Sequence, residues 1–342
     1  MSFREDAVKA LRSPRFWGTV VLGQFMSLCI TASSTTTRVM ADNQLNIPTF
    51  QSTIVYLTLA VVFNSYAVWQ YGLTGYASAI RSNGLYYFAL AVFDVEANYF
   101  IVKGFATTSF LSALLINACS TPFVVLLTFM FLKTRYRWTH LLGISFTVLG
   151  LGLLVLSDYL ATSEDTASHM TGNAFCFIAA FLYAVSNTLE EYCVRRQPKW
   201  EILAFLGLFG LIINVSQVLI LERQELSAMT WSLKSGSAFI GFTVAMVLFY
   251  MLAPVLIGLT SATFFNISLL SSDFYGLIMG LAFFEARAHA LYPIAFSCVI
   301  FGLLFYNFQP PPIPNAKVEL PEDLEDGNNF SPPPTPRYNG ST

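Results

Sequence analysis

Long apolar runs fill this sequence between residues 16 and 308, and they limit its possible folds more than any other feature. A helix that crosses the hydrocarbon core of a bilayer needs about 20 mainly apolar residues. Ten segments meet that length, at residues 16–37, 50–71, 84–103, 105–131, 138–158, 172–194, 201–221, 236–253, 258–283 and 290–308. The runs therefore predict an all-α polytopic membrane protein with ten transmembrane helices.

The composition agrees with this class and excludes others. The 342 residues are 55% hydrophobic and only 11% charged, well outside the range of soluble domains. The net charge of −2 and the lack of a basic tract give no sign of a nucleic-acid partner. The five cysteines lie in or beside apolar runs, without CxxC spacing or a companion histidine, so we expect packing residues and neither a metal site nor a cofactor.

The Lys and Arg residues between the runs predict the topology. With the N-terminus in the cytosol, 13 of the 18 basic residues fall inside and five outside, so the positive-inside rule favours both termini cytosolic. The predicted segments are a cytosolic N-terminus (1–15), a first five-helix repeat (16–158), an external or lumenal loop (159–171), a second five-helix repeat (172–308) and a cytosolic tail (309–342). The tail is rich in Pro and acids, which predicts disorder.

The second half of the chain aligns with the first at an offset of 152 residues. The stretches 108–135 and 260–287 align without a gap, with Thr108 opposite Thr260 and Ser120 opposite Ser272. An odd number of helices in each half inverts the second half across the membrane. This is the inverted-repeat plan of secondary transporters, whose substrate site lies near the midplane between the halves.

Several motifs are specific enough to resemble a known family. They are "DVEANYFIVKGF", "LLINACSTPFVVLLTFMFLKTRYRWTHLLGISFTVLGLGLLVLSD", "LYAVSNTLEEYCVRR", "EILAFLGLFG" and "SATFFNISLLSSDFYGLIMG". In order and register they resemble solute carrier family 35, subfamily F, of the drug/metabolite transporter superfamily. The resemblance extends from the first run to about residue 308.

The resemblance implies a ten-helix carrier that works by alternating access, without catalytic chemistry. It implies the lipid bilayer and a small-molecule substrate as partners, with protons as a further candidate and the oligomeric state undetermined. Subfamily F points to queuine-type nucleobases and their nucleosides, such as queuosine. The wider family leaves nucleotide-sugar antiport in the Golgi or endoplasmic reticulum as an alternative, and a non-transporting scaffold or receptor is a third. Plasma membrane and Golgi membrane both remain open.

Polar side chains inside the runs form three helical stripes, and such residues mark functional sites in membrane proteins. The stripes are Asp94 and Asn98 in the third run, Tyr183, Asn187 and Glu190 in the sixth, and Asn266, Leu270 and Asp273 in the ninth. Each stripe has the spacing to face one cavity. We expect the substrate to be bound by Asp94, Asn98, Asn117, Tyr183, Asn187, Asn266 and Asp273.

The acids of these runs are candidates for proton coupling or gating. They are Asp94, Glu96, Glu190, Glu191 and Asp273. Glu96 lies about 200° around the helix from Asp94, so we expect one to line the pathway and the other to meet a polar neighbour. Glu190 and Glu191 lie nearer the cytosolic end of their run, and a solvated helix end paired with a neighbouring arginine is the alternative reading for them.

The runs carry acids near their centres, but no Lys, Arg or His. A nucleotide-sugar pocket should supply cations for its phosphates, although helix N-termini can also hold anions. The polarity therefore favours a cationic or protonatable substrate, a coupled proton, or both. Pro122 and Pro254 lie inside or at the end of runs and are predicted to allow bending.

Overall fold

The computed structural model describes residues 14–43, 45, 47–108, 110–161, 166–228, 232–283 and 291–307. In these ranges the chain is helical apart from short connections. The predictions for residues 1–13 and for the tail from residue 308 lie outside the described residues.

Twelve helices follow one another in the described ranges. They are α1 (Pro14–Asp42), α2 (Pro48–Thr107), α3 (Phe110–Asn117), α4 (Ser120–Phe131), α5 (Trp138–Ala161), α6 (Thr166–Val194), α7 (Lys199–Leu221), α8 (Arg223–Ala228), α9 (Leu233–Leu259), α10 (Ala262–Leu269), α11 (Ser271–Phe283) and α12 (Tyr292–Asn307). Six candidate spans are long and apolar enough to cross a membrane, within α1, α2, α6, α7, α9 and the α10–α11 pair. Shorter apolar helices lie in α4, α5 and α12. This is the architecture of a multi-pass membrane protein.

Helix α2 joins two runs that we expected to form separate helices. Its 60 residues have a rise of about 90 Å, three times the hydrocarbon thickness of about 30 Å, so it is too long for one crossing. The interruption is at Gly72, with φ 66° and ψ 172°. Glycine adopts a positive φ without the steric cost that a Cβ brings, so the chain changes direction there.

The runs 105–131 and 258–283 were expected to be continuous, but each is split. The first is interrupted around Ala118 and the second at Leu270. The backbone N–H of Thr121 donates to the carbonyl of Ala118, and that of Asp273 donates to Leu270, at 3.1 and 3.2 Å. These bonds to the third preceding residue replace the α-helical pattern at both breaks.

Three other sequence expectations concern local geometry. Pro122 lies in the first turn of α4, just beyond the break, where the N–H that proline lacks has no helical acceptor. Pro254 lies inside α9. Helix extends into the predicted loop 159–171 from both sides, to Ala161 and from Thr166, and residues 162–165 lie outside the described residues.

The fold exposes many large apolar side chains and buries polar side chains together with an apolar core. Val61, Trp69 and Ile220 are among the large apolar residues that are more than half exposed. The fully buried positions include Ser27 and Thr147. An exposed apolar surface suits a lipid environment, where apolar side chains need no burial.

Helix packing arranges these elements around a centre. Helix α2 packs against α6 and α7, α1 against α9, and α5 against α12. A Cβ atom on Gly143 of α5 would lie 2.7 Å from the carbonyl oxygen of Gly302 of α12. Only glycine therefore permits this close approach, as small residues do at helix interfaces in membranes.

Candidate functional site

A cavity of about 110 Å³ lies among α1, α2, α6, α9 and the two broken helix pairs α3–α4 and α10–α11. One water needs roughly 10–15 Å³ of such space, so the cavity has room for several waters or a small organic group. Its lining contains the predicted substrate-binding residues Asp94, Asn98, Asn117, Tyr183, Asn187, Asn266 and Asp273. Glu190 and Leu270, the remaining members of the three stripes, line it as well.

Asp94 lies at the centre of a group that we call the carboxylate cluster, formed by Asp94, Asn98, Tyr56, Tyr183 and Tyr250. Its Oδ2 accepts hydrogen bonds from the hydroxyls of Tyr56 and Tyr250 at 2.5 and 2.6 Å. Asn98 donates to both tyrosine oxygens, at 3.0 and 2.8 Å. The Tyr183 hydroxyl donates to Asn98 Oδ1 at 3.0 Å. These bonds fix the orientation of a carboxylate that is 7% exposed.

The kink in α2 builds this cluster. Tyr56 and Asp94 are 38 residues apart in one helical element, and a straight helix would separate them by about 57 Å. The hydrogen bond between them therefore requires the segment before Gly72 to fold back beside the segment after it. Tyr56 was not among the predicted site residues, because no local pattern in the sequence relates it to Asp94.

Polar side chains at the helix breaks form a second group, which we call the amide cluster: Ser120, Asn187 and Asn266 are joined by hydrogen bonds, and Asn117 lines the same cavity. Ser120 and Asn187 both donate to Oδ1 of Asn266, at 3.3 and 3.2 Å. Asn266 in turn donates to the carbonyl of Ala262 at 2.8 Å. The cluster lies where α3–α4 and α10–α11 are interrupted, since Asn117 ends α3 and Ser120 begins α4.

Helix α1 forms a wall of hydroxyl groups that the sequence analysis did not identify. Ser27 donates to the carbonyl of Ser268 at 2.9 Å, and Thr31 donates to that of Ser272 at 3.2 Å. These hydroxyls satisfy carbonyl oxygens beside the α10–α11 break, which is what a broken helix requires in lipid. The available signal was the run of Ser and Thr at residues 27–37 within an apolar segment.

Two of the five candidate acids do not line the cavity. Glu96 Oε1 accepts a hydrogen bond from Gln217 of α7 at 2.5 Å. Glu191 forms an ion pair with Arg195 at 2.5 Å and accepts the backbone N–H of Ala262 at 2.9 Å. The arginine pairing was expected, but Glu191 is 1% exposed, so the expectation of a solvated helix end is wrong for it. Glu190 is also buried.

The electrostatic character of the cavity is acidic. Asp94, Glu190 and Asp273 line it, and none of the described residues in the lining is Lys, Arg or His. Asp273 lies in the first turn of α11, where the helix dipole favours a negative charge. The described lining therefore combines apolar side chains such as Phe105 and Met246 with carboxylates, amides and hydroxyls, and none of its residues is cationic.

Fold and site together define a class: a multi-pass helical membrane protein whose spans enclose a cavity with acidic, amide, hydroxyl and apolar side chains, as in a solute carrier. A family model described as solute carrier family 35 (SLC35F) matches residues 12–308. The chain belongs to solute carrier family 35. This agrees with the resemblance in the sequence motifs.

Relatives support the same family. A protein of solute carrier family 35 from Schizosaccharomyces pombe is 42% identical over 298 residues, which cover 87% of this chain and 59% of that protein, so this chain spans less than two thirds of its length. Solute carrier family 35 member F2 of Mus musculus is 34% identical over 89% of this chain and 81% of its own. The member F2 of Xenopus tropicalis is 32% identical over 84% and 75%.

A solved crystal structure shares the fold. It superposes with a TM-score of 0.60, covers 84% of this chain and 96% of its own, and is 14% identical in sequence. At this identity the likeness concerns the fold alone.

Proposed function

We propose that this protein is a secondary-active transporter of a small organic solute that carries a cationic or protonatable group. The observation that carries the proposal is the central cavity lined by Asp94, Glu190 and Asp273, with no Lys, Arg or His in its described lining. A buried carboxylate costs free energy unless a partner compensates it. A cationic solute, a coupled proton or both would provide that compensation during the transport cycle.

We propose alternating access between two inverted five-helix halves, with ten spans in all. The register of the broken helices supports this arrangement. At the offset of 152 residues, α3 (Phe110–Asn117) coincides with α10 (Ala262–Leu269) at both ends, and α2 and α9 end at equivalent residues. The hydrogen bonds across the two breaks, to Ala118 and to Leu270, are also equivalent. Unrelated helices would not be expected to share so many end points.

Contacts between equivalent positions give a second line of support. Asn98 donates to Tyr250 at 2.8 Å, and these residues are 152 positions apart. Helix α2 contacts α9, and α5 contacts α12, which are equivalent pairs in the repeat. A residue on a two-fold axis contacts its own counterpart, so the proposed axis passes through the carboxylate cluster. Transporters with inverted repeats bind their substrates at such a position.

The identity of the solute is a finer proposal. A nucleobase or nucleoside such as queuine or queuosine would offer a protonatable amine and a hydrogen-bonding ring, and the subfamily resemblance favours this class. Nucleotide-sugar antiport is the second candidate, since the helix N-termini at the breaks can hold anions. The cavity gives that candidate less support, because phosphate recognition is usually provided by Arg or Lys. A non-transporting scaffold or receptor is the third.

The remaining proposals concern coupling and placement in the cell. We propose that Asp94, Glu190 and Asp273 are the acids available for proton coupling, since they line the cavity. Both termini are proposed to be cytosolic, with the halves at 16–158 and 172–308 and a connecting segment at 159–171. The plasma membrane and the Golgi membrane are both compatible with this topology.

Direct flux measurement tests the proposed function. Metabolite profiling of deletion and overexpressing cells selects candidate solutes, and uptake of the best candidate is measured with the full-length protein in proteoliposomes. We expect saturable uptake that is inhibited by other small organic cations. A scaffold would give no saturable flux under any gradient. A nucleotide-sugar antiporter would show exchange that is stimulated by a nucleoside monophosphate on the opposite side of the membrane.

A further inference from the structure

Two polar atoms of neutral side chains in the cavity wall have no hydrogen-bond partner within the described part of the chain. They are Oδ1 of Asn117 and Oγ1 of Thr121. Both atoms are buried, and Thr121 as a whole is only 2% exposed. Both residues line the cavity, one on each side of the α3–α4 break. Unsatisfied polar atoms are rare in native interiors, and each one requires an explanation.

Some threonines outside the cavity satisfy their hydroxyls locally, whereas the buried hydroxyls of Thr35 and Thr147, also outside the cavity lining, have no partner within the described residues. Thr58 donates to the carbonyl of Ile54 at 2.8 Å, and Thr128 donates to that of Val124 at 2.7 Å. This bond to the fourth preceding residue is the usual solution in a helix. Thr121 lacks the bond because the helix is interrupted directly before it. The break therefore leaves the hydroxyl available to a molecule in the cavity.

The surrounding groups determine what such a molecule should offer. Asn266 is already fixed by Ser120, Asn187 and the carbonyl of Ala262. Oδ1 of Asn117 is an acceptor, and the Thr121 hydroxyl can donate or accept. The three carboxylates in the same cavity disfavour a solute that presents carbonyl or phosphate oxygens. A neutral N–H donor fits these requirements.

The distance between the two clusters follows from α6. Tyr183 belongs to the carboxylate cluster and Asn187 to the amide cluster, and one helical turn separates them. These four residues correspond to about 6 Å along the helix axis. A solute that contacts Tyr183 at one end and Asn187 at the other therefore spans about that distance.

We propose that Asn117 and Thr121 form a second subsite that binds a neutral N–H donor of the solute, about one helical turn from its cationic group. The solute class is an organic cation with an amide, amino or heterocyclic N–H at that distance. This proposal rests on the proposed function for its cationic half, whereas the donor half stands on the two unpartnered atoms.

Three small probes test the subsite by equilibrium binding to the full-length protein in lipid nanodiscs. They are 3-(aminomethyl)benzamide, its N,N-dimethylamide, which lacks the amide N–H, and 3-methylbenzamide, which lacks the amine. We expect the wild type to bind the primary amide about five- to tenfold more tightly than the dimethylamide. Thr121→Val and Asn117→Leu should each reduce this ratio to less than about twofold.

The controls separate this proposal from the proposed function. Thr58→Val removes a hydroxyl from a span outside the cavity and should leave the ratio unchanged, and unfolding temperatures verify that all variants fold. Asp94→Asn should weaken both amine probes equally and preserve the ratio. If the two amine probes bind no more tightly than 3-methylbenzamide and Asp94→Asn has no effect, the proposed cationic function is wrong. An affinity ratio that falls in Thr121→Val and Asn117→Leu would still support the subsite. Three results would overturn the subsite. They are an affinity ratio of the primary amide to the dimethylamide near one in the wild type, a ratio unchanged in both variants, and no binding of any probe.

Discussion

Two regions of this protein bury carboxylates for different purposes. In the central cavity, Asp94, Glu190 and Asp273 face the space that a solute would occupy. At the helix ends, Glu191, Glu201 and Glu222 are buried as well. The difference to be explained is what satisfies the oxygens of the two groups.

The acids at helix ends have both carboxylate oxygens bound by the protein. Glu222 accepts the backbone N–H groups of Thr49 and Phe50 at 2.6 and 2.8 Å, and so caps the start of α2. Glu201 accepts the hydroxyls of Tyr71 and Tyr87, which lie on either side of Gly72. These carboxylates fix where helices begin and bend.

The cavity acid Asp94 is bound unevenly. Two tyrosine hydroxyls donate to its Oδ2, whereas Oδ1 has only Ser186 at 3.5 Å. A long bond of this kind contributes little, so Oδ1 retains capacity for a further partner. The comparison teaches that a fully bound carboxylate positions the fold, whereas a partly bound one in a cavity remains available to a solute.

Asp94→Asn should give the largest effect on transport. The substitution keeps the size of the side chain but removes its charge, and a hydrogen bond to a charged group contributes about 1.5–3 kcal/mol. We expect saturable uptake of a cationic solute to fall at least tenfold at equal surface expression. Asp94→Glu, which keeps the charge, should retain a measurable part.

Counterflow exchange refines this result. A residue that only carries a proton leaves exchange intact in the Asp94→Asn variant, whereas a direct ligand of the cation does not. If correctly inserted Asp94→Asn protein has the uptake rate and pH dependence of the wild type, Asp94 belongs with the structural acids. The distinction between the cavity and the helix ends would then not hold.

Glu191→Gln should mainly reduce stability. It leaves Arg195, whose side chain is 21% exposed, without its anionic partner and weakens the acceptor for Ala262 at the start of α10. Removing one member of a buried ion pair is strongly destabilising, and with partial exposure we expect a loss of about 2 kcal/mol. The unfolding temperature in detergent or nanodiscs provides the measurement.

The chain contains a matched control for this ion pair. Arg38 and Asp42 form another pair four residues apart, with an N–O distance of 3.0 Å and side-chain exposures of 27% and 44%. Asp42→Asn should cost less than about 0.5 kcal/mol, because exposed pairs contribute little. Equal losses in the two variants would show that burial does not set the strength of the Glu191 ion pair.

Glu222→Gln should have a smaller effect on stability. The amide can still accept one of the two N–H bonds at the start of α2, but it lacks the charge that favours a helix N-terminus. We expect a loss of about 1 kcal/mol, in the range of a helix cap. Uptake per folded molecule should stay at the wild-type level, since Glu222 lies outside the cavity lining. A selective loss of uptake would assign it a role in transport.

The sequence predicted the groups within one helix better than the contacts between helices. Asp94 and Asn98 were grouped by their spacing of four residues, and both line the cavity. Tyr56 and Thr121 were missed for different physical reasons. Tyr56 reaches Asp94 only because α2 folds back at Gly72, which hydropathy does not reveal.

The helix breaks were only partly visible in the sequence pattern, since Pro122 was predicted to allow bending and lies just beyond the α3–α4 break. Ala118 and Leu270 are apolar residues within apolar runs, so a hydropathy window predicts a continuous helix across each of them. At the α10–α11 break, hydroxyls from α1 bind the carbonyl oxygens of Ser268 and Ser272, which is a tertiary feature. For the same reason, the unsatisfied hydroxyl of Thr121 could be found only from the structure.

Glu96→Gln should produce the smallest effect, although Glu96 is only two residues from Asp94 and lies in the same helix. Its carboxylate accepts a hydrogen bond from Gln217 of α7 and does not line the cavity. A glutamine can accept the same bond through its amide oxygen, so the contact between α2 and α7 should survive. We therefore expect uptake within about twofold of wild type, since no hydrogen bond is lost. Initial rates measured from pH 5.5 to 8 in the same proteoliposomes as Asp94→Asn provide the test. A loss comparable to that of Asp94→Asn, or an altered pH profile, would place Glu96 on a proton path and extend the transporting region to the α2–α7 interface.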